Sequence, residues 1–354
     1  TVLITSKKMQ ETISTEITKL FGIKYPIILA GMNKAAGATL AAEVTNSGGL
    51  GVIGGVRCTP RILKLMIKDL KSKLKDPNGK FGVDLLIPKI GNGARKTNFD
   101  YNQGKLDELI DIIIDNGASV FVCAVGVPPK YIVDKLHKHG ILVMNMIGAP
   151  KHVTKALAQG VDGVICQGSE GGGHTGIIST TVLLPNIVDM CKDKYSAFTG
   201  KKILVIGAGG IFDGRGLAMS LLFGCSGAWI GTRFVASVES GASVKHKKAI
   251  INASLNDTKR TLVYTGRPLR VITNKYVNEW ETDRKDDMNK LLNDGIIPVY
   301  VDMKHKKEHD MYKEYSKYEL KPDFERYLCG MVAGNINDIL PAKLIIQNII
   351  NDAV

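Results

Sequence analysis

Long apolar runs are absent from this sequence of 354 residues. No run approaches the roughly 20 residues of a membrane-spanning helix, and residues 1–10 lack the apolar core of a signal peptide. We therefore expect no membrane partner and a cytoplasmic location. Glycine is abundant, at 38 residues, and apolar residues make up 44% of the chain, which favours a compact globular enzyme over a disordered chain.

Paired cysteines are also absent, because no CxxC motif occurs. The six cysteines are Cys58, Cys123, Cys166, Cys191, Cys225 and Cys329. Cys123 and Cys166 lie inside apolar, strand-like runs, which is typical of small buried residues in a reducing compartment. The cysteines give no argument for a metal site, and we predict that no metal is bound.

Acidic residues are fewer than basic ones, and the formal net charge is +13. Most lysines alternate with acidic residues, as in 304–319, or lie on amphipathic stretches such as 61–75. This distribution predicts a solvated surface and no nucleic-acid partner. A net positive field is nevertheless suited to attracting a small anionic substrate.

One pattern recurs along the chain: a helical stretch ends in glycine, and a short β-branched run follows. Glycine just past a helix adopts the left-handed conformation that ends the helix at little cost. The runs are apolar on both faces, as expected for parallel strands covered by helices. Eight strands are predicted, at 26–31, 51–54, 81–87, 120–125, 142–147, 163–167, 203–207 and 227–231.

Amphipathic helices are predicted between these strands, for example at 61–74, 106–116, 129–139 and 213–223. Eight strand–helix repeats predict an α/β fold of the closed (β/α)8 TIM barrel type. An open, doubly wound sheet is the structural alternative.

The regular alternation of strands and helices ends after the eighth predicted strand. Residues 236–323 contain helical stretches, a turn at 265–268 and only weak strand signals, so we predict a smaller, mainly helical substrate-binding domain inserted there. Residues 335–350 then have the pattern of a final amphipathic helix, with Asp338 near its start and Pro341 in its first turn. The predicted organisation is a barrel at 1–235, a substrate or lid domain at 236–330, and a C-terminal helix at 331–354 that returns to the barrel.

Active sites of such barrels form at the C-terminal ends of the strands. The sixth predicted strand leads into residues 166–176, here called the histidine loop, in which five of eleven residues are glycine and one is His174. Because glycine lets the backbone approach a ligand closely, we predict a functional role for His174. The alternative is an ordinary polar residue whose hydrogen bonds are satisfied.

Glycines also follow the seventh and eighth predicted strands, at Gly209, Gly210 and Gly231. In barrels these positions hold phosphate through backbone N–H groups and a helix N-terminus. A Rossmann turn would need glycine where Phe212 stands, and the sequence has no Walker lysine motif. The pattern therefore predicts a phosphate-bearing cofactor or substrate.

Two other strand ends carry candidate ligand contacts. The first strand ends in Ala30, Gly31 and Met32, which leave room for a flat ring. Asp84 lies among apolar neighbours in the third strand, where it either contacts a ligand or makes a structural hydrogen bond.

Together these segments resemble the nitronate monooxygenases, formerly called 2-nitropropane dioxygenases, and most closely their longer fungal type. The matching segments are 26–32, 48–55, 81–86, 163–176, 207–216, 231–234 and 337–341. They follow one another in the expected order over nearly the whole chain. The histidine loop combined with the element at 208–216 is the more specific part of the resemblance.

The resemblance implies a barrel that binds FMN without a covalent bond, with the phosphate near Gly209, Gly210, Gly231 and Thr232. The cofactor-binding residues that it implies are Ala30, Gly31, Met32, Asp84, Gln167, Gly171, Gly172, Gly209, Gly210, Ile230, Gly231 and Thr232. Asp84 departs from the family pattern, because bacterial relatives often carry asparagine there. A homodimer is a further family-level expectation.

The resemblance also implies the activity. In the family the loop histidine, here His174, removes the α-proton of a neutral nitroalkane, and the electrons pass through the flavin to O₂. A nitronate anion such as propionate 3-nitronate needs no base, and the products are a carbonyl compound and nitrite. Histidine is suited to this proton transfer because its ordinary pKa lies near neutrality.

Other interpretations remain open at this point. An NAD(P)H-dependent FMN reductase of the enoyl-acyl-carrier-protein reductase type shares this barrel and similar phosphate loops. Inosine monophosphate dehydrogenase uses a cysteine in the loop after the sixth strand, where this sequence carries His174. A non-catalytic barrel that only holds a phosphorylated molecule is the alternative from a different class.

Overall fold

The structure is a computed structural model that describes residues 13–304 and 324–354. Residues 1–10, where we predict no signal peptide, lie outside the described residues. Most of the charged segment at 304–319 also lies outside them.

Eight parallel strands form one sheet, as predicted. They are β1 (Ile27–Leu29), β2 (Gly51–Gly54), β3 (Phe81–Leu86), β4 (Val120–Ala124), β5 (Leu142–Ile147), β6 (Gly163–Gln167), β8 (Leu204–Ala208) and β9 (Gly227–Ile230). The short strand β7 (Gly173–His174) belongs to a second sheet. Their order is β1-β9-β8-β6-β5-β4-β3-β2. A parallel bridge between Ile28 and Leu50 joins β1 to β2 and closes the barrel.

Helices surround the barrel. They are α1 (Glu16–Phe21), α2 (Ala38–Asn46), α3 (Pro60–Lys73), α4 (Leu106–Asp115), α5 (Lys130–Lys138), α6 (Pro150–Leu157), α7 (Thr180–Cys191), α8 (Gly214–Leu222) and the short α9 (Thr232–Val235). Gly117 and Gly140 follow α4 and α5 with φ angles of 72° and 75°. The predicted helix-ending role of glycine is therefore confirmed at these positions.

Side chains alternate across the barrel wall. On β3, Val83 and Leu85 pack outward against the helices, so the intervening Asp84 faces the barrel interior. The interior is filled by apolar residues such as Val122 and Ile206, and Ile17 of α1 packs with them. The barrel is therefore a packed core and not a pore.

The last helix, α14 (Ala342–Ala353), packs against α8 and α2. It thereby occupies the place of the eighth barrel helix, because α9 after β9 has only four residues. The predicted start of this helix at 335 was wrong. A 3₁₀ helix (Met331–Asn335) comes first, and Pro341 is the N-cap of α14 rather than part of its first turn, because a residue that precedes proline disfavours the helical conformation.

An ion pair between a buried arginine and a half-exposed carboxylate connects this C-terminal part to the barrel. Arg233, in the short helix α9 that follows the eighth barrel strand, donates to the Asp338 carboxylate at 2.7 Å and to the Asp338 carbonyl at 2.9 Å. The Arg233 side chain is 9% exposed. The contact fixes the return of the chain from residues 236–330, here called the insertion, to the barrel.

The insertion contains the helices α10 (Val244–Ile251), α11 (Lys275–Glu281), α12 (Lys285–Asn293) and α13 (Pro298–Lys304). It also contains two strands that were not predicted, β10 (Thr258–Thr261) and β11 (Leu269–Ile272), which form an antiparallel hairpin. The predicted turn at 265–268 lies in the loop of this hairpin. A separate apolar core, which includes Tyr264 and Trp280, stabilises the insertion.

The cysteine environment agrees with the prediction: Cys123 on β4 and Cys166 on β6 are buried free thiols. Within the described ranges, no helix is long and apolar enough to cross a membrane.

At the N-terminal end of the barrel, Asp162 holds three segments together. Its carboxylate accepts hydrogen bonds from Val143 N at 2.7 Å, Ser196 Oγ at 2.5 Å and His137 Nε2 at 2.9 Å. Asp162 is 2% exposed. Its removal would leave buried donors without an acceptor.

We expect Asp162→Ala to lower the free energy of unfolding by about 3 kcal/mol in urea titrations. Asp111→Ala is the matched control, because Asp111 pairs with Lys135 at the surface and should cost less than about 1 kcal/mol. Equal losses in the two variants would contradict this assignment.

Candidate active site

The predicted site residues meet at the C-terminal end of the barrel. A Cβ atom placed on Gly31 would lie 2.4 Å from the Asp84 side chain, and one on Gly231 would lie 3.5 Å from the Ala30 Cβ and 3.6 Å from the Met32 Sδ. The strands β1, β3 and β9 therefore bring these residues to one rim, as the sequence predicts.

Asp84 is the most unusual residue of this rim. It is 6% exposed, and its Oδ1 is buried without a hydrogen-bond partner among the described residues. Burial raises the pKa of its carboxyl group well above the ordinary value, so the protonated form is favoured. Asp84 thus presents toward the interior a hydrogen-bonding group that no residue of 13–304 or 324–354 satisfies.

Gln167 fixes the histidine loop. Its Nε2 donates to the backbone oxygens of Gly172 at 3.2 Å and His174 at 3.0 Å. A Cβ atom at Gly171 would lie 2.6 Å from the Gln167 side chain, and one at Gly172 would lie 2.6 Å from the Cys329 backbone. These two glycines are therefore required by close packing within the protein, which gives a structural reason for them beside the ligand approach expected from sequence.

His174 is held by pairing with the insertion. As part of β7 it pairs antiparallel with Leu269 of β11, while Gly173 pairs with Arg270. The Nε2 atom of His174 lies 3.1 Å from the Thr265 hydroxyl, in the hairpin loop. The barrel loop and the insertion together determine where this imidazole lies.

The electrostatic surroundings of His174 favour its neutral form. Burial, together with the positive charges of Arg267 and Arg326, lowers its pKa to about 3. The imidazole is therefore neutral at physiological pH and has a lone pair that can accept a proton. The same arginines make the surroundings favourable for an anion.

The hydrogen bonds of the Thr265 hydroxyl also indicate which ring nitrogen of His174 has the free lone pair. It lies 3.2 Å from the carbonyl oxygen of Arg267, to which it can donate. When it does so, it accepts a hydrogen bond from His174, and the proton is then on Nε2 while the lone pair is on Nδ1.

The predicted phosphate loop after β8 has a backbone conformation that favours glycine. Gly209 and Gly210 have φ angles of 91° and 76°, a conformation that glycine adopts without strain. The helix that follows them, α8, is already capped by Asp213, whose carboxylate accepts from Gly216 N at 3.1 Å. The Asp213 carboxylate thus occupies one of the N–H groups at the N-terminus of α8, and the loop backbone at Gly209 and Gly210 remains as a second source of donors for an anion.

The structure limits what two other predicted cofactor contacts, Ile230 and Thr232, can contribute through their side chains. The Ile230 side chain packs in the outer core against the helices, so only its backbone can contribute to the site. The Thr232 hydroxyl already accepts a hydrogen bond from Gly330 N at 2.7 Å. Thr265 and Arg267 were missed as site residues, because the sequence indicated only a turn there.

Comparison with solved structures places the chain among TIM-barrel proteins. FabK from Thermotoga maritima superposes with a TM-score of 0.73 and 28% sequence identity, over 97% of this chain and 96% of that one. The family model for nitronate monooxygenases matches residues 14–352. The chain therefore belongs to the nitronate monooxygenase family, which confirms the resemblance, and it is a flavin-dependent monooxygenase of that family.

Two curated relatives differ in their names. A (3aS,4S,5R,7aS)-5-hydroxy-7a-methyl-1-oxo-octahydro-1H-indene-4-carboxyl-CoA dehydrogenase from Mycobacterium tuberculosis is 30% identical, over 96% of each chain. A probable nitronate monooxygenase from Staphylococcus saprophyticus is 33% identical, over 77% of this chain and 83% of the relative. Both relatives are bacterial, and the fungal subtype stays a prediction.

We expect His174 to remain neutral from pH 8 down to pH 5. Its imidazole signals in NMR spectra, assigned by comparison with His174→Gln, should not shift over this range, because the pKa is lowered to about 3. A titration midpoint near 6.5 would contradict the assignment.

The lowered pKa of His174 should also make the stability of the protein depend on pH. An unfolded histidine binds its proton near pH 6.5, whereas folded His174 does so only near pH 3. The unfolded state therefore binds more protons between these values, and this contribution to stability is lost as the pH falls through them. In acid unfolding measurements, His174→Gln should show a smaller loss of stability from pH 6.5 to pH 4 than the parent protein.

Proposed function

We propose that the protein uses FMN and O₂ to oxidise alkyl nitronates, such as propionate 3-nitronate, to carbonyl compounds and nitrite, and that it also acts on neutral nitroalkanes. The observation that carries this proposal is a neutral imidazole, His174, held beside the cationic Arg267 at the rim of the barrel. This combination accepts a proton and favours the anion that remains.

The rim residues fit FMN. Ala30, Gly31 and Gly231 are small residues at the strand ends, and the Asp84 Oδ1, which has no hydrogen-bond partner among the described residues, would be available to the polar edge of the ring. We propose that the phosphate lies at the loop backbone of Gly209 and Gly210 and near that of Ile230, Gly231 and Thr232. Bound FMN would supply the electron transfer from substrate to O₂.

The protein's own part in the reaction is proton transfer and binding. Nδ1 of His174 would take the α-proton of a neutral nitroalkane, while the hydrogen bond from Nε2 to Thr265 keeps the ring in place. Arg267 would then stabilise the negative charge left on the substrate. A nitronate carries that charge from the start, so it needs Arg267 but not the base.

We further propose that the insertion, at 236–330, covers the bound substrate, with 1–235 as the FMN-binding barrel and 331–354 as its closing segment. The support is the pairing of β11 with β7, which joins the insertion to the loop that carries His174. Part of the predicted lid, 305–323, lies outside the described residues. A cytoplasmic location and a homodimer stay expectations, the first supported by the free thiols of Cys123 and Cys166.

A second candidate is a flavin-dependent redox reaction on a thioester substrate. It would be either a dehydrogenation of a carboxyl-CoA compound, as the name of the Mycobacterium tuberculosis relative says of that protein, or an NAD(P)H-dependent reduction of the enoyl-acyl-carrier-protein reductase type. That relative's 30% identity over 96% of each chain favours it. An open surface cleft of about 630 Å³ beside the hairpin loop gives room for part of such a substrate, but neither His174 nor the predicted FMN contacts line this cleft. The cleft is lined by Arg95, Lys96, Thr97, Leu262, Gly266, Asn289, Leu292 and Asn293. Gly266 directly follows Thr265, which contacts His174.

We expect His174→Ala to lower kcat/KM for neutral nitroethane by about 10²- to 10⁴-fold, because the variant lacks the base. Turnover of the propionate 3-nitronate anion should fall by less than about tenfold. Oxygen-consumption assays with both substrates measure this, and His139→Ala, a change on the exposed end of α5, is the control. Equal losses on both substrates would show that His174 binds or shapes the site instead.

The two candidate functions separate in anaerobic mixing experiments. The purified protein should have the visible spectrum of a flavin, and propionate 3-nitronate should bleach it while NADH should not. Bleaching by NADH alone would favour the reductase, and a colourless protein that does not bind added FMN would refute the cofactor assignment.

Asp84 gives a test of the FMN position. Because burial raises the pKa of the Asp84 carboxyl group and thereby favours its uncharged form, Asp84→Asn should keep FMN affinity within about tenfold of the parent, whereas Asp84→Ala should lose more than that. Quenching of FMN fluorescence by the apoprotein measures the affinity. Equal affinities of the parent and both variants would mean that Asp84 does not contact the cofactor.

A further inference from the structure

Two arginines face each other across the hairpin of the insertion. Arg260 on β10 is the direct partner of Arg270 on β11 in the antiparallel register. Side chains in this arrangement lie on the same face, and like charges placed directly opposite destabilise a sheet. The pair therefore has an electrostatic cost that a bound anion would remove.

Arg270 is held rigidly in this pair. It is 8% exposed, its Nε and Nη2 donate to the Ser169 carbonyl oxygen at 3.1 and 2.9 Å, and its Nη1 donates to the Thr258 hydroxyl at 3.0 Å. None of these acceptors carries a full negative charge. The positive charge of Arg270 is therefore fixed in position without being neutralised by these contacts.

Arg260 has no such partners. Within 13–304 and 324–354 no acceptor bonds to its guanidinium, and its Nε is buried without a hydrogen bond. The one carboxylate whose charge acts on Arg270, that of Glu170, accepts hydrogen bonds from the Thr180 backbone and hydroxyl. Because the Glu170 carboxylate is already engaged at the start of α7, it does not satisfy the hydrogen-bond donors of Arg260.

The pair also lies next to the predicted phosphate loops. Ser169, which binds Arg270, precedes Glu170 in the histidine loop, and a Cβ atom on Gly210 would lie 3.5 Å from the Glu170 Cβ. Ile272, on the same face of the hairpin as Arg270, packs in an apolar cluster with Phe212. Two guanidinium groups beside an apolar surface suit a phosphate group that is attached to a larger molecule.

We propose that Arg260 and Arg270 form an anion subsite, separate from the FMN phosphate position, that binds the phosphate or pyrophosphate of an adenine-nucleotide carrier. A coenzyme A thioester and a nicotinamide dinucleotide share this chemistry. A dianionic phosphate matches the two adjacent positive charges better than a single carboxylate does. The subsite goes beyond nitronate oxidation, since a small nitronate does not carry such a group.

Isothermal titration of the purified protein, saturated with FMN so that the cofactor position is filled, tests the subsite. The probes are inorganic pyrophosphate, coenzyme A and NADPH, and their relative affinities distinguish the two carriers. We expect one-to-one binding of at least one probe, weakened at least tenfold in Arg260→Gln and less in Arg260→Lys, which keeps the charge. The measurement needs no turnover, so its outcome is independent of whether nitronates are oxidised.

The matched control is Lys259→Gln. This change removes one positive charge from the neighbouring residue of the same strand, whose Nζ donates to Asn278 at 3.0 Å. Binding should be unchanged in this variant if the two arginines form the subsite. Absence of binding by all three probes, or equal weakening in Lys259→Gln and Arg260→Gln, would overturn the proposal.

Discussion

The geometry of the site depends on two backbone pairings, those of Gly173 and His174 with Arg270 and Leu269. A glycine-rich loop at the end of a barrel strand has many accessible conformations and a large ordering entropy. Pairing with the hairpin selects one of them, and the Gln167 amide fixes the loop from its barrel side. The position of the imidazole is consequently a joint property of the barrel and the insertion.

The electrostatics of this position have two opposite effects. The protein surroundings and the arginines lower the pKa of His174, so the imidazole is always available as an acceptor but is a weaker base than free histidine. In the proposed reaction, the same positive charge would stabilise the anion that proton removal would produce. A site of this kind is therefore better matched to a substrate that arrives as an anion than to one that must first be ionised.

The barrel was predictable because its signals are local. Each strand is a short apolar run after a glycine such as Gly140 or Gly160, and the family motifs follow those strands. The parts that sequence did not reveal depend on non-local contacts. Thr265 and Arg267 become site residues only through the pairing of β7 with β11, and the short, arginine-bearing β10 and β11 lack the apolar alternation that identifies a strand.

The place of α14 in the ring of helices has a consequence for synthesis of the chain. All eight barrel strands precede the insertion, yet α14, which packs between α2 and α8, follows it. During translation the barrel strands therefore emerge before the helix that covers an apolar strip between α2 and α8, and the ring of helices cannot be completed until residues 342–353 have left the ribosome. Chaperone contact during this interval would protect the strip that Ile345 and Ile349 later cover.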